Sequence, residues 1–593
     1  MPFLLLQDPA SIPRGAHKRP LANNSALLPP DSGYHLCVTS PSRVLGPVQK
    51  YRDVEFQKPI WLVTDGYARS ADSEDPIYLL LEWAAECIYE DRPALIPKSL
   101  RGCFVALAVQ PSNGKILVCR DQLGGRTAYY GESATICAVS STSSRIARHP
   151  HFGTDESTEF ITNWLCRHQQ VPPRQSAFAH IREILPGESL YFFRNQRSGN
   201  RRRFHPSQSR RIRSTPEWVD RFSEAFQQAV QRSLPEDSDV AIMLSGGLDS
   251  GPSAVAAESY LRKQKRELVA ISWLLKDFDS CDESQWIQRL VSATNVAPIQ
   301  FEASGMLPFS PLDDSVISDN SPVYNPFRTI ILRCYRLAAE KNCRVLLNAA
   351  SGDQIYPPGS LLFTDAIFRF KLALALKALH SSFRTHGIRK LHRNPGVRLL
   401  LRTLANMLVA PGPRPVQRPD WIPKDAPIAS VERNQWPSEI QTHRFPGFAE
   451  SLIGAPMANG VAHENAYAAP YSIERRDPFQ DLDLVKLMWK LPAELSRHNG
   501  QEKWIMREAM RGKLPDALRN KSRTGLLDEF YSAGFHANKA GIRELLTANQ
   551  EWKKWFDPTF VNESLSADRT PVQNQLVLAK CVGYALWKEK LKK

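Results

Sequence analysis

Beyond residue 206 the sequence predicts an α/β fold built on a doubly wound parallel sheet, and three observations predict it. Residues 239–257, DVAIMLSGGLDSGPSAVAA, read as a short apolar strand over 240–244, a glycine turn, and a helix over 253–261. A second strand over 268–274, a helix over 282–294 and a short strand over 298–301 follow, with Pro298 at a first strand position where proline is tolerated. A further helix within 322–342 and a strand over 344–348 repeat the alternation. Strands and helices alternating in this way give a parallel sheet covered on both faces, with the ligand at the strand ends.

The turn carries the chemistry. A strand feeding a glycine turn and a helix leaves backbone N–H groups free at the positive end of the helix dipole. That is an anion site, and the expected anion is phosphate. Gly246 and Gly247 let the backbone approach closely, and Ser245 and Ser250 add hydroxyl donors. Asp249 would repel phosphate, so its expected role is to hold a magnesium ion that the phosphates also bind. No lysine follows the glycines, which excludes the GxxxxGK[ST] loop. SGGLDS instead resembles the pyrophosphate loop of enzymes that split ATP between its α and β phosphates, make an acyl-AMP and release pyrophosphate.

At 593 residues the chain is expected to hold two or more domains. Its 42% hydrophobic and 23% charged content is that of a soluble globular protein. No apolar run approaches the ~20 residues that span a bilayer, and the start, MPFLLLQDPASIPRG, lacks the basic and long apolar regions of a signal peptide. The ten cysteines are scattered without a CxxC pair, which favours reduced thiols in the cytoplasm over disulfides or zinc. The net charge of +15 invites a nucleic-acid reading. The surplus is spread out, however, with clusters at 197–213, an expected linker, and at 368–402, a solvated helical face or a peptide-docking surface. Nucleic acid is therefore not an expected partner.

In the first 205 residues, 1–50 carry little periodicity. Residues 75–91 read as an amphipathic helix. Strands over 104–109 and 115–120 are joined by Pro111-Ser112-Asn113-Gly114, a turn of suitable chemistry, and 136–140 reads as another strand. The segments SLRGCFVALAV, CRDQLGGRTAYYG, AVSSTSSRIARHP and IREILPGE resemble the glutamine-amidotransferase half of the asparagine synthetase family. There they read "L-x-G-x-F-A-F", "R-D-x-x-G-x-x-P-L-Y-Y", "F-A-S-E-x-x-A-L" and "I-x-x-L-P-P-G". The resemblance implies an α+β two-sheet sandwich over 1–205. The family's glutaminase uses an N-terminal cysteine as nucleophile. Here Met1 is followed by Pro2, and the first cysteine is Cys37, so this half is expected to be a structural remnant that makes no ammonia.

The resemblance runs on to about residue 525, within residues 206–593, which are expected to be the ATP-pyrophosphatase half. A helix over 216–233 leads in, with apolar Val219, Phe222, Phe226 and Val230. After the strand over 344–348, Ala349-Ala350-Ser351-Gly352-Asp353-Gln354-Ile355-Tyr356 resembles the family's "S-G-E-G-x-D-E-x-F". Asp353 falls on the aspartate that shares magnesium with Asp249. Ala350 and Gln354 replace two glutamates, which argues against free aspartate as the substrate. Residues 361–465 depart most from the family: basic helical stretches, then a proline-rich segment, with a solvated insert and a substrate-binding role both open. The pattern returns at Glu474-Arg475-Arg476-Asp477-Pro478-Phe479-Gln480-Asp481, like "E-x-R-x-P-F-L-D", and continues through 503–516.

What the resemblance implies is a site. Leu244, Ser245, Gly246, Gly247, Asp249 and Ser250 hold ATP and pyrophosphate, flanked by Ser272 and Gly352, and Asp249 and Asp353 hold Mg2+. Lys503 matches a lysine beside the phosphates, able to neutralise charge as pyrophosphate leaves. The family's lysine for adenylation falls at Arg523, with Lys521 two residues earlier; either one serves. Among the relatives, the macrolactam synthetase of lasso-peptide biosynthesis fits best. It implies adenylation of an Asp or Glu side chain of a precursor peptide, ring closure by the peptide's freed α-amine, and a partner leader peptidase and leader-binding protein. A β-lactam-synthetase-like enzyme, asparagine synthetase, and a non-catalytic peptide-binding scaffold are the alternatives.

Overall fold

The structure, a computed structural model, describes residues 4–7, 34–37, 43–133, 136–166, 174–194, 196–204, 212, 214–313, 318–358, 361–386, 401, 418–429, 445–453, 464–498, 501–521 and 527–593. It is mixed α/β, with two antiparallel sheets followed in the chain by a parallel one.

The first sheet is made of β1 (Leu4–Gln7), β2 (Tyr34–Cys37), β7 (Tyr129–Glu132), β8 (Cys137–Ser140) and β9 (Ile181–Glu183), in the order β2-β1-β8-β7-β9. The second is made of β3 (Arg43–Tyr51), β4 (Val54–Ser70), β5 (Leu100–Gln110), β6 (Lys115–Arg120), β10 (Glu188–Phe193) and β11 (Gln196–Arg201), in the order β11-β10-β6-β5-β4-β3. Period-two alternation sorts β5 between two cores. Val105, Leu107 and Val109 meet Tyr130, Val139 and Ile184 of the facing sheet, while Phe104, Ala106 and Ala108 meet the helix α1 (Pro76–Tyr89) through Leu80, Leu81 and Trp83. Both faces of β5 are covered, which is why it reads as a continuous apolar run. The linker expectation needs correction, and the weakly periodic first 50 residues contribute strands. Residues 1–50 supply β1, β2 and most of β3. Arg197 to Arg201, placed in a linker from composition, form β11 and pair with β10.

The parallel sheet has the order β14-β13-β12-β15-β16. Its strands are β12 (Val240–Met243), β13 (Leu268–Leu274), β14 (Ala297–Glu302), β15 (Val345–Leu347) and β16 (Glu474–Arg476). Val240, Ile242 and Leu244 pack with Phe222, Phe226 and Ala257 of the helices Thr215–Ser233 and Ser250–Lys263; Ala241 and Met243 pack with Cys334, Tyr335 and Ala338 of the helix Arg328–Glu340. Helices on both faces make the sheet doubly wound, and the chain reverses direction of winding at β12, between β13 and β15. The helix expected within 322–342 starts only at Arg328, because Pro322 and Pro326 disfavour helix in the residues before them.

The sandwich and the C-terminal helices share a core: Phe160, Ile161 and Trp164 pack with Trp555, Tyr584 and Trp587. Part of the 361–465 insert joins it, with Trp421 stacked 5.6 Å from Phe556. Every placed cysteine from Cys87 onward is a free thiol, and no helix among the described residues is long and apolar enough to cross a membrane.

Lys580 marks this junction. Its ammonium donates to the Leu165 carbonyl at 3.1 Å and lies 5.7 Å from the Trp421 ring centre. Burial lowers its pKa from 10.5 to about 8, against a small opposing pull from Cys166. The unfolded chain therefore binds more protons than the folded one between these values, and stability rises with pH across that window. Lys580→Met is expected to raise the urea midpoint below pH 8, and to abolish its rise between about pH 8 and 10. An unchanged pH slope in the variant would assign the titration elsewhere.

Candidate active site

The parallel strand β12 ends at Met243, and the Leu244 N–H still donates to Ile271 of β13 at 2.8 Å. The chain then turns through Ser245 to Asp249 into the helix Ser250–Lys263. Gly246 has φ +69°, and a Cβ there would lie 2.9 Å from Cβ of Trp286, so both conformation and space require glycine. The Ser245 N–H donates to Ser250 Oγ at 3.1 Å, and the two hydroxyl oxygens are 2.9 Å apart. The sequence-predicted loop residues are thus brought together at the strand end. Ser272 is buried one residue beyond Ile271 on the neighbouring strand. Leu244 has its N–H committed to the sheet.

The second signature arrives from β15. Gly352–Gln354 is a single 3-10 turn that places Asp353 beside the loop. Lys503 joins the two segments: its ammonium contacts Asp249 Oδ2 and is 2.5 Å from Asp353 Oδ1. Lys503 itself has φ +54° and stands immediately before the helix Trp504–Ala509. Burial pushes the Asp249 carboxyl up to about 6, with Asp353 adding to the rise and Lys503 opposing it. Burial works against the Lys503 charge too, but the two carboxylates outweigh it and hold its pKa above the ordinary lysine value.

Asp249 Oδ1 is buried and has no hydrogen-bond partner. An orphan carboxylate oxygen beside a second carboxylate is a fitting donor set for a hard divalent cation, whose other ligands would be water and phosphate. The orphan oxygen and the second carboxylate make Asp249 and Asp353 a pair that fits Mg2+ shared with a nucleotide.

Lys521 is not a surface cation. It is buried, 2.5 Å from Glu283 Oε1, with its ammonium 5.0 Å from the ring centre of the same Trp286 that closes over Gly246. Through Trp286 it therefore flanks the glycine loop. Arg523 lies outside the described residues.

Sequence reasoning passed over Tyr356, Arg475, Asp477 and Gln480. Tyr356 is buried, with the Lys503 ammonium 5.9 Å from its ring centre. Asp477 and Gln480 both bond Ser351, at the start of the Asp353 turn. The signal was in the segment ERRDPFQD, where charge and an amide stand in a stretch that folds as buried structure.

The turn is tight. A Cβ at residue 352 would lie 2.4 Å from Cγ and Oδ1 of Asp249. Gly352→Ala must displace one carboxylate from the other and is expected to cut ATP–pyrophosphate exchange by about 10²-fold, the scale of a 1 Å misplacement. The circular dichroism spectrum should stay unchanged. Wild-type exchange in this variant would show that the turn does not sit against Asp249 during catalysis.

Residues 221–589 match the asparagine synthase family, and residues 70–204 match a glutamine amidotransferase domain. The family match extends past residue 525, where the resemblance read from sequence ended, into the C-terminal helices. Asparagine synthetase 3 (glutamine-hydrolyzing) of Bacillus subtilis (strain 168) is 22% identical over 484 residues, covering 79% of this chain and 72% of that protein. Among solved structures, the B. subtilis glutamine phosphoribosylpyrophosphate amidotransferase complexed with ADP and GMP aligns at 12% identity and a TM-score of 0.15, over 44% of this chain and 64% of that one. NMN synthetase from Francisella tularensis aligns at 15% identity and a TM-score of 0.15, over 26% and 58%. This chain spans less than two thirds of either solved chain, and likenesses at that score carry no argument. The two family matches do: the chain belongs to the asparagine synthase family and is, by class, an AMP-forming carbon–nitrogen ligase.

Proposed function

We propose that this chain adenylates an Asp or Glu side-chain carboxylate of a precursor peptide and closes a macrolactam with the peptide's N-terminal amine, as a lasso-peptide cyclase does. The observation that carries the adenylation step is the Asp249–Lys503–Asp353 cluster at the mouth of the SGGLDS loop. Loop N–H groups and the Ser245 and Ser250 hydroxyls would hold the phosphates. The peptide carboxylate attacks the α-phosphorus, the α–β bridge bond breaks, and Lys503 neutralises the charge of departing pyrophosphate. Magnesium, when bound by Asp249 and Asp353, would polarise the phosphoryl oxygens. The amine then attacks the acyl carbon, loses a proton and expels AMP. Lys521 or Arg523 would assist the first step.

Ala350 and Gln354 favour a carboxylate on a larger molecule, because two side chains that bear negative charge in the family pattern do not do so here. The same reading divides the chain near residue 205. It also assigns a leader peptidase and a leader-binding protein as partners. A second reading is asparagine synthesis, the activity in the name of the 22% identical relative. ATP–pyrophosphate exchange separates them. Exchange that needs a linear core peptide, with AMP formed and one water lost from the peptide mass, supports the cyclase. Exchange with free aspartate and ammonia overturns it in favour of asparagine synthesis.

A further inference from the structure

Beneath the turn that carries Asp353, this chain departs from the family pattern at linked positions. Aligned on Asp353, "S-G-E-G-x-D-E-x-F" has Gly where Ser351 stands. Aligned on Pro478-Phe479, "E-x-R-x-P-F-L-D" has Leu where Gln480 stands and leaves the Asp477 position open. The new side chains bond one another. Gln480 Nε2 donates to Ser351 Oγ at 3.0 Å, a bond that needs both departures. Asp477 is fully buried; its Oδ2 accepts from the Ser351 N–H at 2.9 Å and from Arg475 at 3.1 Å, and its Oδ1 accepts from the Phe479 N–H at 3.0 Å.

Ser351 is thus held at its backbone and its side chain, one residue before Gly352, which presses on Asp249. On the strand before it, the Asn348 N–H donates to the Arg476 carbonyl at 3.0 Å, which locks β15 to β16 up to the turn. Burying a carboxylate, a guanidinium and an amide costs desolvation that an apolar core avoids. Such groups placed directly behind ligand carboxylates commonly orient them.

We propose that Gln480 and Asp477 are positioning residues for the carboxylate pair: through Ser351 they fix the turn that sets Asp353 opposite Asp249. The proposal rests on the reading of that pair as the metal-holding one.

The test uses the full-length protein and Mn2+ with α,β-methylene-ATP, which cannot be split at the α–β bridge. Free Mn2+ is measured by electron paramagnetic resonance for wild type, Gln480→Met, Ser351→Ala, their double variant and Asp477→Asn, and unfolding midpoints are recorded beside it. Each single variant is expected to bind Mn2+ about 10-fold more weakly, the usual scale for groups behind metal ligands. The Ser351→Ala/Gln480→Met pair should lose no more than either single change, because both remove one interaction. Lower midpoints with unchanged Mn2+ binding would make the network merely structural and overturn the proposal; so would losses that multiply in the double variant. If wild type binds no Mn2+ with the nucleotide, the carboxylate-pair reading itself falls, and the proposal with it.

Discussion

Asp249→Asn is expected to lower ATP–pyrophosphate exchange by about 10²–10³-fold, equivalent to roughly 3–4 kcal/mol of lost transition-state stabilisation. The same variant should be as stable as wild type or more so. Asp249 has one oxygen against Lys503 and one buried oxygen with no partner, and burial already pushes its carboxyl up to about 6. A neutral amide escapes that desolvation. Lys503 keeps Asp353 as a partner, at 2.5 Å, although the Asp353 side chain is 81% exposed and holds it less firmly. Removing a poorly satisfied buried charge while destroying activity is the behaviour of a group kept for function rather than stability. Exchange and urea midpoint, measured on one preparation, check both halves. Retained exchange would remove Asp249 from the reaction. A midpoint that falls sharply would make it a structural carboxylate.

Much of this site was legible in the sequence, because strand–turn–helix order and glycine placement are local. The strand and loop over 240–250 and the β13 strand over 268–274 stand where pattern and spacing put them, and Asp353, which the resemblance singled out, stands on a turn after β15. The polar set behind the turn was not legible. Asp477 and Gln480 are 126 and 129 residues from their partner Ser351, and no local pattern announces a bond at that separation. The burial of Lys521 against Glu283 was not legible for the same reason: Glu283 is 238 residues away. In the first 50 residues, β1 and β2 are four residues each, and β1 pairs with β2 on one side and β8 on the other; both are too short for alternation to register. The C-terminal helices were left unread because their apolar faces are explained only by the sandwich they cover.

Arg120→Met is expected to cost about 3–5 kcal/mol, the usual result of stripping one partner from a buried ionic network. Arg120 closes β6 and is fully buried. Its guanidinium reaches Glu183 Oε1 at 2.7 Å and the carbonyls of Ile184, Gly124 and Arg126 at 2.6, 3.1 and 2.5 Å. Next to it, Asp121 accepts the N–H groups of Leu123, Gly125 and Phe104. The two side chains tie together the loop from residue 121 to 126, and that loop delivers Arg126 to Glu474 on β16, 3.5 Å away. The "R-D" of the amidotransferase-like motif is therefore a buried tie between the sheets and the parallel-sheet half. Arg120→Lys should rescue little, since one ammonium cannot span four acceptors that a planar fork reaches. Urea unfolding followed by tryptophan fluorescence gives the cost, and ATP–pyrophosphate exchange on the folded fraction gives the consequence. If the sandwich half supports the ligase without taking part in its chemistry, exchange per folded molecule stays within about twofold of wild type while stability falls. A specific loss of exchange in protein that remains folded would mean that this half still communicates with the ATP site, and the path would run through Arg126 and Glu474.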